Sequence, residues 1–83
     1  MRANEQAQVE AVAVAILEHL QAHPLAADSV QGVTRWWLGP RLANVTLPVV
    51  EQALELLVAG KAMRRLSLMD GTLLYSMALP SQH

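Results

Sequence analysis

The histidines His19 and His23 are the first candidates for chemistry in this sequence. They are four positions apart in a segment with helical periodicity, a spacing at which two imidazoles can reach one metal ion. The sequence indicates no third ligand, and the chain contains no cysteine. Histidines near a helix C-terminus are also favoured there by the helix dipole. We therefore predict that this pair binds no metal.

No pattern typical of an enzyme or of a cofactor site is present. The sequence has no glycine-rich phosphate loop, no paired carboxylates and no Ser/His/Asp arrangement. A chain of 83 residues would also need an oligomer interface to build a substrate pocket. We predict a non-catalytic protein that uses no cofactor and no small-molecule substrate.

Basic residues are the candidates for contact with nucleic acid phosphates. The formal net charge is −1, so only a local basic strip could supply the electrostatic attraction that such binding needs. The residues that could form this strip are Arg35, Arg41, Lys61, Arg64 and Arg65. The adjacent arginines have an alternative role as a solvated strand edge that discourages sheet-to-sheet aggregation.

The adjacent tryptophans Trp36 and Trp37 could stack on the bases of single-stranded nucleic acid. Tyr75 is the only other member of the Phe, Trp and Tyr class, and no basic groove is evident around the pair. Core packing is the preferred interpretation. Neighbours on a helix point about 100° apart, so one tryptophan can be fully buried while the other lies at the edge of the core.

The elements that position these residues begin with two predicted helices. Helix one covers residues 5–22 and ends at His23-Pro24, because the residue before proline avoids helical geometry. Its repeating apolar residues are Val9, Val12, Ala13, Ile16, Leu17 and Leu20. Helix two covers residues 28–38, and Asp28 with Gln31 resembles a capping box. The residues predicted to share its inner face are Val30, Val33, Trp36 and Trp37.

The third predicted helix, residues 47–59, has the clearest signals. Thr46 can cap its first turn, Pro48 fits there because no intrahelical donor is needed, and Gly60 supplies a left-handed residue that ends it. The stripe that must be buried comprises Val50, Ala53, Leu54, Leu57 and Val58. The opposite face comprises Pro48, Val49, Gln52, Glu55, Leu56 and Ala59, with no lysine or arginine.

A β-hairpin over residues 62–78 follows, with a short tail at 79–83. Asp70-Gly71 between two apolar alternating runs predicts a two-residue type I′ turn. In that register Leu68 faces Leu73, and Leu66 faces Tyr75. The predicted inner residues are Leu66, Leu68, Leu73, Tyr75 and Met77, and the predicted outer residues are Arg65, Ser67 and Ser76.

Three helices followed by a hairpin resemble the winged helix-turn-helix superfamily, and residues 49–75 look like helix three and the wing of many bacterial winged-helix regulators. The resemblance implies one α+β domain over residues 1–83, a three-helix bundle followed by a β-hairpin wing. In DNA-binding members, helix three enters the major groove and the wing touches the backbone or the minor groove. The base contacts implied here fall to Glu51, Gln52 and Glu55, and the phosphate contacts to Lys61, Arg64 or Arg65. Carboxylates in the groove would be repelled by the phosphates.

We therefore predict that helix three binds a protein partner or a second copy of the chain, with duplex DNA as the alternative. The candidate contact residues are Val49, Gln52, Glu55 and Leu56. An apolar face with acidic residues at its margin is typical of a protein contact. If the core wraps further around the helix, Leu56 is instead buried.

The N-terminal segment matches neither a secretory signal nor a membrane span. Glu10 and Glu18 interrupt its apolar stretch. We predict a soluble, cytoplasmic protein.

Overall fold

The computed structural model describes the backbone of residues 2–78 and the side chains of residues 5–78. Over this range the chain forms three helices and a three-stranded antiparallel sheet, a small α+β fold. None of the described helices combines the length and the apolar content needed to cross a membrane. The predicted tail at 79–83 lies outside the described residues.

The helical elements follow the predicted order. Helix α1 is Arg2–Ala22 and ends where His23-Pro24 was predicted to end it. Helix α2 is one α-helical turn, Val30–Gly32, continued by a π-helical segment, Val33–Trp37. A 3₁₀ turn, Pro40–Leu42, leads to helix α3, Leu47–Ala59, whose bounds are those predicted.

The start of α2 differs from the prediction because a short strand precedes it. Strand β1, Ala27–Asp28, places Asp28 opposite Tyr75 of the hairpin. The capping residue is Ser29, whose Oγ accepts a hydrogen bond from the Gly32 N–H at 3.2 Å. The Asp28 carboxylate instead accepts from the Ser29 N–H at 2.9 Å. The predicted Asp28 capping box is therefore wrong, since Asp28 belongs to the sheet.

The C-terminal end of α3 also differs in which residue is left-handed. Gly60 has a φ of −82°, whereas Lys61 has a φ of 67°. The Lys61 N–H donates to the Val58 carbonyl at 3.0 Å, and the next N–H, that of Ala62, donates to the Leu57 carbonyl at 2.9 Å. This is a Schellman motif in which a lysine occupies the position that favours glycine. At the other end, Thr46 has the extended geometry of an N-cap, but its side chain makes no capping hydrogen bond.

Strands β2, Met63–Ser67, and β3, Leu73–Met77, form the hairpin, and β3 lies between β1 and β2. Its turn is longer than the predicted one, since Gly71 has a positive φ of 90° and Asp70 does not. The Gly71 N–H donates to the Leu68 carbonyl at 3.0 Å, and the Leu68 N–H donates to the Thr72 carbonyl at 2.8 Å. These bonds define a three-residue loop with a glycine bulge.

The longer turn shifts the strand register by one residue. Leu66 pairs with Leu74, and Arg65 pairs with Tyr75. The predicted pairing of Leu66 with Tyr75 is therefore wrong, and such a slip moves every β2 side chain to the opposite face. Leu66 and Leu68 lie on the outer face, 55% and 40% exposed. Arg65 shares the inner face with the buried Tyr75.

One core joins the three helices and the hairpin. Its buried members are Val9, Val12, Ile16, Leu20, Val33, Trp37, Leu38, Val49, Val50, Ala53, Leu54, Leu57, Met63 and Tyr75. Leu17 and Trp36, both predicted on inner faces, are 37% and 70% exposed. Each is adjacent in sequence to a buried residue, Ile16 or Trp37, and points about 100° away from it, outside the arc that the other elements cover.

Candidate functional site

The exposed face of α3 forms one wall of a groove whose other wall is α1. Leu56 is 53% exposed, so the alternative in which the core buries it is wrong. The groove encloses about 720 Å³, and its lining residues are Gln6, Val9, Pro48, Glu51, Gln52, Glu55, Leu56 and Ala59. Three of the four predicted contact residues, Gln52, Glu55 and Leu56, therefore lie together.

Val49, the fourth predicted contact residue, is not available to a partner. It is only 5% exposed and belongs to the core. At about 100° per residue the buried positions of α3 span an arc of about 140°, from Val49 at one margin to Leu54 at the other. Helix α3 contacts α1, α2 and β2, and packing on several sides buries a wider arc than packing against one neighbour. The assignment of Val49 to the exposed face is therefore wrong.

Charge in the groove is dominated by carboxylates. Glu51 and Glu55 line it, and none of the described lining residues is a lysine or an arginine. Glu55 is bound to the hairpin, since its Oε2 accepts a hydrogen bond from Arg65 Nη1 at 2.5 Å. The Tyr75 side chain, as a hydrogen-bond partner, and the Glu55 carboxylate together raise the pKa of Arg65. Glu51, the other carboxylate of the groove, makes no ion pair with any of the described side chains.

The structure distributes the predicted DNA-contact residues over separate surfaces. Arg35 lies in a groove beside Trp36 on the outer side of α2, and Arg41 lies in another groove with Glu18 of α1. On the hairpin, Arg64 Nε donates to the Ser76 Oγ at 3.3 Å, and Arg65 is bound to Glu55. Lys61 is exposed at the end of α3.

The two tryptophans have different environments. Trp37 is buried, as core packing predicts, whereas Trp36 is 70% exposed. Trp36 lines a groove of about 620 Å³ with Gln31, Thr34, Arg35, Gly39, Pro40, Ala43 and Leu47. Core packing is therefore the wrong interpretation for Trp36. Periodicity could not have decided between the two, because both positions flank the same inner face.

The histidines are held by aromatic contacts. The His19 ring stacks on Trp37 with 4.6 Å between ring centroids and 17° between ring planes, and His23 lies 4.7 Å from His19 by the same measure. Burial, followed by the nearby His23, lowers the pKa of His19. Within the described residues, no group of three or more His, Asp or Glu side chains could hold a metal ion.

The outer face of the hairpin is an apolar surface that the sequence did not reveal. Leu66 and Leu68 lie on it beside the half-buried Leu74, and Met69 at the turn is fully exposed. The predicted register had placed the first two inside. The signal that could have found this surface is the loop length, because a three-residue loop at Asp70-Gly71 turns both leucines outward.

Comparisons with known proteins give no relative for this arrangement. No protein-family model, no curated protein and no solved structure matches the chain.

Proposed function

We propose that this chain is a non-catalytic interaction module of the winged-helix type that binds a protein partner through the groove between α1 and α3. The observation that carries the proposal is Leu56. It is 53% exposed although it lies next in sequence to the buried Leu57. It lines a groove with carboxylates at its margin. The order of three helices followed by a hairpin supports the winged-helix arrangement.

The chemistry of the groove defines the kind of partner. Leu56, Pro48 and Ala59 provide apolar surface, so the partner should insert at least one aliphatic or aromatic side chain. Glu51 lies beside them without an ion pair among the described side chains. A partner that carries a lysine or arginine next to its inserted apolar side chain is therefore favoured. An amphipathic helix with apolar residues at positions i and i+4 and basic neighbours has this pattern.

Duplex DNA is the less favoured ligand for the same surface. The phosphate backbone repels carboxylates, and non-specific affinity requires several free cations close together. Arg65 is bound to Glu55, and Arg35 and Arg41 lie in separate grooves. Binding to a labelled mixed-sequence duplex can be measured by fluorescence anisotropy at about 50 mM and about 200 mM salt. We expect no binding at either concentration, and salt-sensitive binding would favour the DNA-binding alternative.

The protein-binding proposal is tested by selecting displayed helical peptides on the purified chain. We expect selected peptides to combine apolar residues at i and i+4 with flanking lysine or arginine, and to lose binding to Leu56→Arg. The matched control is Leu25→Arg, because Leu25 is 96% exposed and outside the groove. Circular dichroism should show native helix content for both variants. Equal peptide binding to both variants would refute the assignment of the groove.

A further inference from the structure

Strand β2 is an edge of the sheet, because the strand order is β1-β3-β2. The Leu68 N–H donates to the Thr72 carbonyl, and the Ala78 N–H donates to the Ala62 carbonyl. In an antiparallel ladder the hydrogen-bonded positions alternate. The even-numbered residues of β2 therefore face β3, while Arg65 and Ser67 direct their backbone N–H and C=O groups to the free edge.

That edge is open in the part of the chain that the structure describes. The backbone groups of Arg65 and Ser67 make no hydrogen bond to the loops or turns between residues 2 and 78. The five residues of β2 include no proline and no glycine. The edge therefore lacks two of the devices, proline and a glycine bulge within the strand, that prevent pairing with another chain.

The two arginines of β2 do not protect the edge with their charges. Arg65 is drawn beneath the sheet to Glu55 of α3. Arg64 donates to Ser76 of β3, across the sheet and away from the free edge. A charged side chain blocks pairing at an edge only if it projects beyond that edge. The geometry of Arg64 and Arg65 therefore argues against the predicted role of these residues in discouraging sheet-to-sheet aggregation.

We propose that two copies of this chain associate by antiparallel pairing of their β2 edges, forming one continuous six-stranded sheet. The backbone groups that face the edge then find partners in the second copy. The exposed Leu66 and Leu68 of both copies come together on the outer face of the joined sheet, where burying them removes apolar area from water. This surface is distinct from the groove between α1 and α3.

Charge selects among the possible registers. Pairing Arg65 with Arg65 of the second copy would set like charges directly opposite each other, which is destabilising. A shift that keeps the edge-facing residues paired sets Arg65 opposite Ser67 of the second copy. Leu66 then lies on the two-fold axis, opposite Leu66 of the second copy. This pair is not hydrogen-bonded, and side chains approach most closely in pairs of that kind.

Analytical ultracentrifugation of the full chain, from about 10 µM to about 1 mM, tests the association. We expect a concentration-dependent monomer–dimer equilibrium that Ser67→Pro weakens about 10-fold or more, because proline removes an edge-facing N–H without removing a bond to β3. Circular dichroism should show that Ser67→Pro keeps its fold. A chain that is monomeric throughout this range would overturn the proposal, as would an unchanged dimer in a folded Ser67→Pro variant.

Disulfide trapping provides a second test that does not depend on the proline variant. The chain has no cysteine, so Leu66→Cys introduces a single thiol at the proposed two-fold axis. In a glutathione buffer we expect it to form a covalent dimer much faster than Met69→Cys, although Met69 is the more exposed residue. Equal rates would indicate random collision and would overturn the proposed register. Peptide binding to the groove should be retained in either variant, which separates this inference from the proposed function.

Discussion

Arg65 of β2 and Glu55 of α3 are joined by an ion pair with 2.5 Å between Nη1 and Oε2. The pair links the hairpin to the helix that forms the candidate binding groove. It exists because the three-residue hairpin loop turns Arg65 to the inner face of the sheet, beside Tyr75. One residue proposed for phosphate contact and one proposed for protein contact thus neutralise each other.

This pairing predicts a salt-sensitive coupling between the two side chains. In a double-mutant cycle with Glu55→Gln and Arg65→Gln, we expect a small favourable coupling in the free energy of unfolding, because both groups are largely solvated. At about 1 M salt, where the Debye length is about 3 Å, the coupling should weaken. Urea unfolding at both salt concentrations measures it. A coupling of zero at low salt would show that the pair is not populated in solution.

The stacking of His19 on Trp37 predicts a loss of stability in mild acid. The folded-state pKa of His19 is lowered, first by burial and then by His23, so the unfolded state binds the proton more tightly. The stability that this residue contributes is therefore fully present above the ordinary histidine pKa of 6.5. It falls as the pH decreases from there through the lower folded-state pKa.

His19→Phe is the variant that isolates this effect, since it keeps an aromatic ring against Trp37 but cannot titrate. We expect its free energy of unfolding to depend less on pH between about 7 and 5 than that of the wild type. His23→Gln should reduce the wild-type slope in part, because it removes the neighbouring charge. Glu18 and Arg41 line the same groove as His19 and are left unchanged. Equal slopes for wild type and His19→Phe would contradict the assignment.

Gly32 lies in α2 with ordinary helical angles, a φ of −65° and a ψ of −42°. Its backbone would accept any residue, but the space beside its Cα does not admit a side chain. A Cβ atom at this position would overlap the Asp28 carboxylate, which is held by the Ser29 N–H. We expect Gly32→Ala to destabilise the chain by about 1–3 kcal/mol through overpacking.

Asp28→Ala provides the matching test of that cause. In the Asp28→Ala background the same glycine substitution should be neutral or stabilising, by up to about 1 kcal/mol, because alanine favours helix. Thermal unfolding of the four proteins measures the cycle. If Gly32→Ala has the same effect in both backgrounds, the Asp28 carboxylate is not what excludes a side chain.

Lys61 has a left-handed backbone, with a φ of 67°, that lysine adopts only at a cost of about 1 kcal/mol or more. We expect Lys61→Gly to stabilise the chain by up to about 1 kcal/mol, since the Schellman hydrogen bonds are kept. Lys61→Ala is the control, because it removes the same charge and keeps the strain, and it should give no such gain. Similar denaturant midpoints for the two variants would mean that the backbone strain is not what limits stability here.

The sequence alone determined the local elements of this protein. Helix bounds at residues 22 and 47 followed from His23-Pro24 and Pro48, because proline restricts the backbone close to it. The bound at residue 59 was predicted from Gly60, although the left-handed residue that ends the helix is Lys61. The buried stripes of α1 and α3 followed largely from helical periodicity. The hairpin, its approximate strands and the exposure of Leu56 were predicted on the same local grounds.

Tertiary structure decided the faces and the surfaces. The choice between a two-residue and a three-residue loop depends on which face of the strands packs against the core. The three-residue loop places Leu66 on the outer face and Arg65 on the inner face, the opposite of the prediction. Val49 is buried because several elements pack around α3, and Trp36 is exposed because none of the described elements covers it. Strand β1 is a two-residue segment with no periodicity of its own, and it forms only because β3 offers an edge. These outcomes depend on contacts between distant residues, which local patterns do not encode.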